Sequence, residues 1–104
     1  MEIYHPIMTL LERKGWQPIQ HTSQISFKKD NAVVDFYLAN GEMRMELMPA
    51  AYALDLERSK NNLAENIKMY IEDCINFYKS DLNQDHVTEI LDAAKELDKL
   101  RIIS

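Results

Sequence analysis

The stretch AVVDFYLANGEMRMEL, residues 32–47, brings two carboxylates to a place where they could do chemistry. Asn40-Gly41 is a strong signal for a two-residue hairpin turn, because both residues accept positive φ. A hairpin closed there pairs positions summing to 81, so Asp35 faces Glu46 on one side of the sheet and Tyr37 faces Arg44 beside them. Like charges directly opposed in a sheet destabilise it by a fraction of ~1 kcal/mol. Such a pair therefore invites a role: a general acid with its base, a seat for a divalent metal, or an anchor for a basic partner. Tyr and Arg are both enriched among interface anchors, which favours the partner. The competing reading is a solvated sheet face on which Arg44 and Lys28, diagonal to the acids, relieve their repulsion. No third carboxylate or histidine joins the pattern, and an open sheet face gives little desolvation with which to tune a pKa. Catalysis thus ranks below both a solvated face and a partner-binding face.

A second set of acids lies near the C-terminus. Asp85, Glu89, Asp92 and Glu96 form a column at helical spacing, within a run (residues 81–99) holding six acidic residues and two lysines. The column suits a basic protein surface, or else a solvated face in which Asp92 and Glu96 each pair with the lysine three residues on. His86 with Glu89 is a minimal metal-binding pair, read first as an ordinary polar residue of a helix's first turn. His21, near Ser23 and Ser26, would need an acid and an oxyanion hole to take part in nucleophilic catalysis. Cys74 stands alone and falls on an apolar arc, which makes it a buried, inert thiol. The two glycines are too few for a phosphate-cradling loop. No cofactor is expected.

The chain as a whole bounds these readings. At 104 residues, 46% apolar and 28% charged, it is one folded domain with a modest core. A net charge of −5 opposes phosphate, so direct binding of nucleic acid is not expected. No apolar run reaches membrane-spanning length, the segment MEIYHPIM lacks the pattern of a signal peptide, and the lone cysteine fits a reducing compartment. A cytoplasmic protein is the expectation.

The elements that must position these groups follow from turn and cap signals. Pro6 to Lys14 reads as a helix with proline in its first turn, ended by Gly15 as a left-handed cap that folds Trp16 back onto Leu11. Asp30-Asn31 gives a second turn, pairing positions that sum to 61. The two turns together align Ile25, Phe27, Val34, Phe36, Leu38, Met43, Met45 and Leu47 on one apolar face. Pro18 to Thr22 adds an edge strand. After Pro49 a helical turn is favoured, although Tyr52, Leu54 and Leu56 alternate like a strand. Asn62 with Glu65 resembles a capping box for a helix whose arc comprises Leu63, Ile67, Tyr70, Ile71, Cys74, Ile75, Phe77 and Tyr78. Asn83 caps the last helix, with Leu82 stapled to Val87. Ile102 and Ile103 must pack on the domain or pair across a dimer.

The expected fold is α+β: a short N-terminal helix, an antiparallel meander of three or four strands, and two or three C-terminal helices on one sheet face. The expected function is a non-enzymatic protein-binding module engaging another protein, one with a basic surface. Its contacts would be the outer sheet face (Asp35, Tyr37, Arg44, Glu46) or the acidic column. Size, acidity and the lack of catalytic motifs are compatible with small inhibitors or adaptors of the immunity, antitoxin or anti-defence type. A homodimer is the alternative, and a small enzyme or metal site at Asp35 and Glu46 ranks third.

Overall fold

The computed structural model describes residues 5–49, 52–78 and 82–103, the last three for their backbone alone. It is an α+β fold in the order α1 (Pro6–Arg13), β1 (Gln17–Gln20), β2 (Gln24–Lys29), β3 (Ala32–Ala39), β4 (Glu42–Leu47), β5 (Leu54–Asp55), α2 (Leu56–Ser59), α3 (Leu63–Tyr78) and α4 (Gln84–Ile103). The five strands form one antiparallel sheet in sequential order.

Turn chemistry sets the sheet's register as expected. Asn40 and Gly41 take φ of 55° and 78°, and Asp30 takes φ of 55°. Leu38 pairs with Met43, Phe36 with Met45 and Val34 with Leu47, while Phe27 pairs with Val34 and Ile25 with Phe36. Phe27, Val34, Phe36, Met43, Met45 and Leu47 are all buried. Leu38, one pair from the turn, is the exception at 38% exposed, although its partner Met43 is buried. The helices cover this apolar face alone, as one layer, through Ile7, Leu11, Ile67, Tyr70, Ile71, Ile90 and Ala94 among others.

The end of α1 uses both backbone bonds of a left-handed cap. Gly15, at φ 95°, donates from its N–H to the Glu12 carbonyl, and the Trp16 N–H donates to the Leu11 carbonyl. Trp16 is thereby delivered into the core, 1% exposed. At the other end Pro6 opens the helix, and His5 Nδ1 accepts from the Ile7 N–H at 3.3 Å.

Three expectations are corrected. The segment after Pro49 is a strand before it is a helix: Leu54 pairs with Met45 and Asp55 with Arg44, and Asp55 then caps α2 by accepting from the Glu57 and Arg58 amides. Asn62 does not cap α3, because it closes a 3₁₀ turn (Lys60–Asn62) leading into the helix. The Leu63 and Ala64 amides are instead satisfied by the Asp98 carboxylate of α4, at 3.1 and 3.0 Å. The apolar arc of α3 is buried at Leu63, Ile67, Tyr70, Ile71 and Cys74, but Ile75, Phe77 and Tyr78 are exposed because the last turns run past their packing partners. Asn83 does cap α4, its Oδ1 accepting from the His86 N–H at 2.9 Å. Leu82 and Val87 pack, partly buried, against the core. The side chains of Ile102 and Ile103 lie outside the described residues.

Candidate functional site

The rows of the sheet face opposite the helices are exposed at Ile19, half-buried at Gln24, Tyr37, Arg44 and Glu46, and buried at Ser26, Asp35 and Asp55. One row runs Ile19, Ser26, Asp35, Glu46; the next runs Gln24, Tyr37, Arg44, Asp55. Asp35 and Glu46 are opposed as expected, yet they differ in circumstance. Asp35 is buried, 7% exposed, and accepts a 2.5 Å hydrogen bond from the Ser26 hydroxyl. Ser26 in turn lies 3.1 Å from His21 Nε2. A hydroxyl has one proton, and Ser26 gives it to Asp35, so His21 donates to Ser26 rather than accepting from it. Activation of a serine nucleophile requires the reverse order. Glu46 is half-buried beside Tyr37, whose phenol is raised above its ordinary value by burial first, with the Glu46 and Asp35 charges adding to the rise and Arg44 opposing it.

The paired acids with shifted protonation are a different couple. Arg44 reaches Asp55 Oδ2 at 3.1 Å through Nη1 and Glu42 Oε2 at 3.3 Å through Nη2, while Arg58 Nε stands 3.5 Å from the same Asp55 oxygen. Glu42 and Asp55 are thus held by the same Arg44 guanidinium and act on each other's protonation. The interaction with Glu42 is the main cause that lowers Asp55, helped by the Arg58 and Glu57 amides and by Arg44 and opposed by burial. The interaction with Asp55 is in turn the main cause that raises Glu42, with the Asp55 charge acting in the same direction. Sequence reasoning missed this cluster because β5, which delivers Asp55, is only two residues long. The alternation of Leu54 and Leu56 around an acidic capping residue was the available signal.

The acidic column of α4 is dismantled in part. Asp85, Asp92 and Glu96 are exposed, but Glu89 turns toward the body of the protein. Its Oε2 accepts from Lys29 Nζ at 2.6 Å, its Oε1 accepts from the indole N–H of Trp16 at 3.2 Å, and Lys29 also donates to the Lys14 carbonyl. The cause is position: a partly buried indole N–H and a β2 lysine both point at this turn of α4, and both need an acceptor. No ion pair joins Asp92 to Lys95 or Glu96 to Lys99 among the described residues.

His86 and Glu89 are likewise no metal pair. His86 is 2% exposed, its Nδ1 accepts from the Asn83 N–H at 3.2 Å, and its Nε2 therefore donates to Asp30 at 2.9 Å. The histidine thus serves as the reciprocal half of a capping box, a place usually held by Glu or Gln, with the Trp16 ring edge-on to it at 5.4 Å. No group of three or more His, Cys, Asp or Glu side chains among the described residues could hold a metal ion. Cys74 is buried among core side chains, and that burial raises its thiol above the ordinary value.

The largest departure from expectation is the far end of α3. Met69, Asp73 and Phe77 follow one another at four-residue spacing and so form one stripe. Tyr52 lies against it, its ring edge-on to Tyr70 at 5.1 Å and its hydroxyl donating to Asp73 at 2.7 Å. Tyr52 is pushed up to about 12 by burial and then by Asp73. Tyr70 holds the backbone beneath: its hydroxyl donates to the Tyr52 carbonyl and accepts from the Leu47 N–H. On this ordered base Phe77 is 73% exposed, Met69 56% and Tyr52 42%. Periodicity could not show this, because it marks which residues share a face but not where that face loses its cover.

No described helix is long and apolar enough to cross a membrane. Comparison with protein-family models, with curated proteins and with solved structures gives no match.

Proposed function

We propose that this chain is a non-enzymatic protein-binding module whose contact surface is the apolar stripe of α3 with Tyr52. The observation that carries the reading is the exposure of Phe77, Met69 and Tyr52 together, on a helix fixed from below by Tyr70. Scattered surface apolar groups need no explanation, but a clustered patch of Phe, Met and Tyr has the composition of an interface centre. The stripe carries Asp73 between Met69 and Phe77, and the same spacing sets Glu65 one turn before Met69. A two-fold pairing of the stripe with itself centres on Asp73 and opposes like charges, which favours a different protein offering an apolar surface with a cation.

Pairing of copies through sheet edges is also disfavoured. The His21 N–H donates to the Gln24 carbonyl, so alternate residues of β1, including Pro18, turn their backbone away from β2. Proline has no N–H to offer there, and the other edge, β5, is only two residues long.

The test is affinity capture from the native cell with wild-type, Phe77→Ser, Met69→Ser and Glu46→Lys proteins, each checked for an unchanged amide spectrum. The proposal expects a partner retained by wild type and Glu46→Lys and lost from both α3 variants. Retention by the α3 variants with loss from Glu46→Lys would transfer the function to the outer sheet face. That second reading is favoured by Ile19 and Met48, 44% and 45% exposed, flanking the Asp35 and Glu46 row.

A further inference from the structure

A groove of about 330 Å³ lies between α1 and the first two strands, on the helical side of the sheet. It exists because α1 packs over β2 and stops short of β1. Pro18 and Gln20 pair with Phe27 and Ile25 and so point to the same side, yet they are exposed while Phe27 is buried. Met8, Pro18, Ile25 and Phe27 make an apolar floor, and Glu12 and Gln20 stand at the rim. Glu12 is the one charged residue lining the groove, and it has no ion pair or side-chain hydrogen bond among the described residues. Gln20 donates one amide N–H to the His21 carbonyl, so its oxygen and its second N–H remain to offer. The groove therefore presents one negative charge, together with the Gln20 amide and the Thr9 hydroxyl, above an apolar floor. Its volume falls at the small end of the roughly 300–1,000 Å³ typical of small-molecule sites.

We infer that this groove is a binding site for a small amphipathic cation, an amine whose alkyl or aryl part lies on Met8, Ile25 and Phe27 while its ammonium faces Glu12 and Gln20. The apolar part supplies most of the affinity and the rim selects the charge.

The test uses the full isotopically labelled chain and three probes of similar shape: phenethylamine, phenethyl alcohol and phenylacetate. Titration followed by NMR is expected to move the resonances of Glu12, Gln20, Ile25 and the Met8 methyl. The ammonium should bind about two- to fivefold more tightly than the alcohol, the range for an exposed ion pair, and phenylacetate should bind most weakly. Glu12→Gln should abolish the advantage of the amine while leaving the alcohol unchanged. Glu96→Gln, which alters net charge equally but lies on α4, should leave the advantage intact. Gln20→Trp, filling the groove from an exposed position, should weaken all three probes. Shifts clustering elsewhere, equal binding of amine and alcohol, an equal effect of Glu96→Gln, or no shifts with any probe would each overturn the assignment. These outcomes are independent of the α3 surface.

Discussion

Replacing Glu89 by alanine is expected to destabilise the fold as no other acid of the α4 column does. The substitution removes the acceptor of the Trp16 indole N–H, and Trp16 is 1% exposed, so the donor is left unpaired in a largely dry place. Such a loss costs about 1–3 kcal/mol. Lys29 loses its charge partner but is 29% exposed in its side chain and keeps the Lys14 carbonyl, so that part is worth at most about 1 kcal/mol. Together these give ~2 kcal/mol, or roughly 10–15 °C in Tm for a domain of this size. Glu89→Gln retains an acceptor for the indole and should cost about half as much. Asp92→Ala, at an exposed position, should fall within about 0.5 kcal/mol of wild type. Trp16 is the only tryptophan, so urea unfolding followed by its fluorescence reads the site directly. Equal stability of Glu89→Ala and Asp92→Ala would refute the account and restore a solvated column.

Other substitutions separate the remaining parts. Tyr70→Phe deprives the Leu47 N–H and the Tyr52 carbonyl of their shared partner and should cost about 1–3 kcal/mol in chemical denaturation. Asp55→Asn should show a pH-dependent penalty. The native pKa of Asp55 is lowered, so its contribution is present above the ordinary carboxylate range and fades as pH falls through its native value. The gap between wild type and variant should therefore narrow in acid. Glu42, being raised, acts in the opposite sense, stabilising below the ordinary carboxylate value and losing that contribution as pH rises through its native one. A gap that widens on acidification would contradict the assignment. Cys74 should resist a thiol reagent in the native state and react on unfolding, since burial both covers it and raises its pKa.

What was legible in the sequence is what local chemistry controls. Asn40-Gly41, Asp30, Gly15 and Asn83 each act through their own backbone or their nearest neighbours, so turns, register, the α1 cap and the α4 cap could be read directly. The outer rows around Asp35 and Glu46 followed from that register. What could not be read is what distant partners decide. Asp98 caps α3 across 34 and 35 residues, and Glu89 serves Trp16 across 73. Neither task leaves a mark in the local pattern, where both residues look like members of a solvated acidic helix. Cover is decided in the same way. Phe77 has the periodicity of a core residue and lacks only the neighbours that would bury it.

The central claim, a one-sided sheet under helices with the apolar end of α3 left bare, is tested most directly by methionine oxidation under native conditions, read residue by residue by mass spectrometry. Met69 and Met48, 56% and 45% exposed, should oxidise rapidly, while Met45 at 0% and Met8 and Met43 at 4% should be protected until the chain unfolds. Oxidation of Met45 as fast as Met69, or protection of Met69 in the isolated protein, would contradict the account.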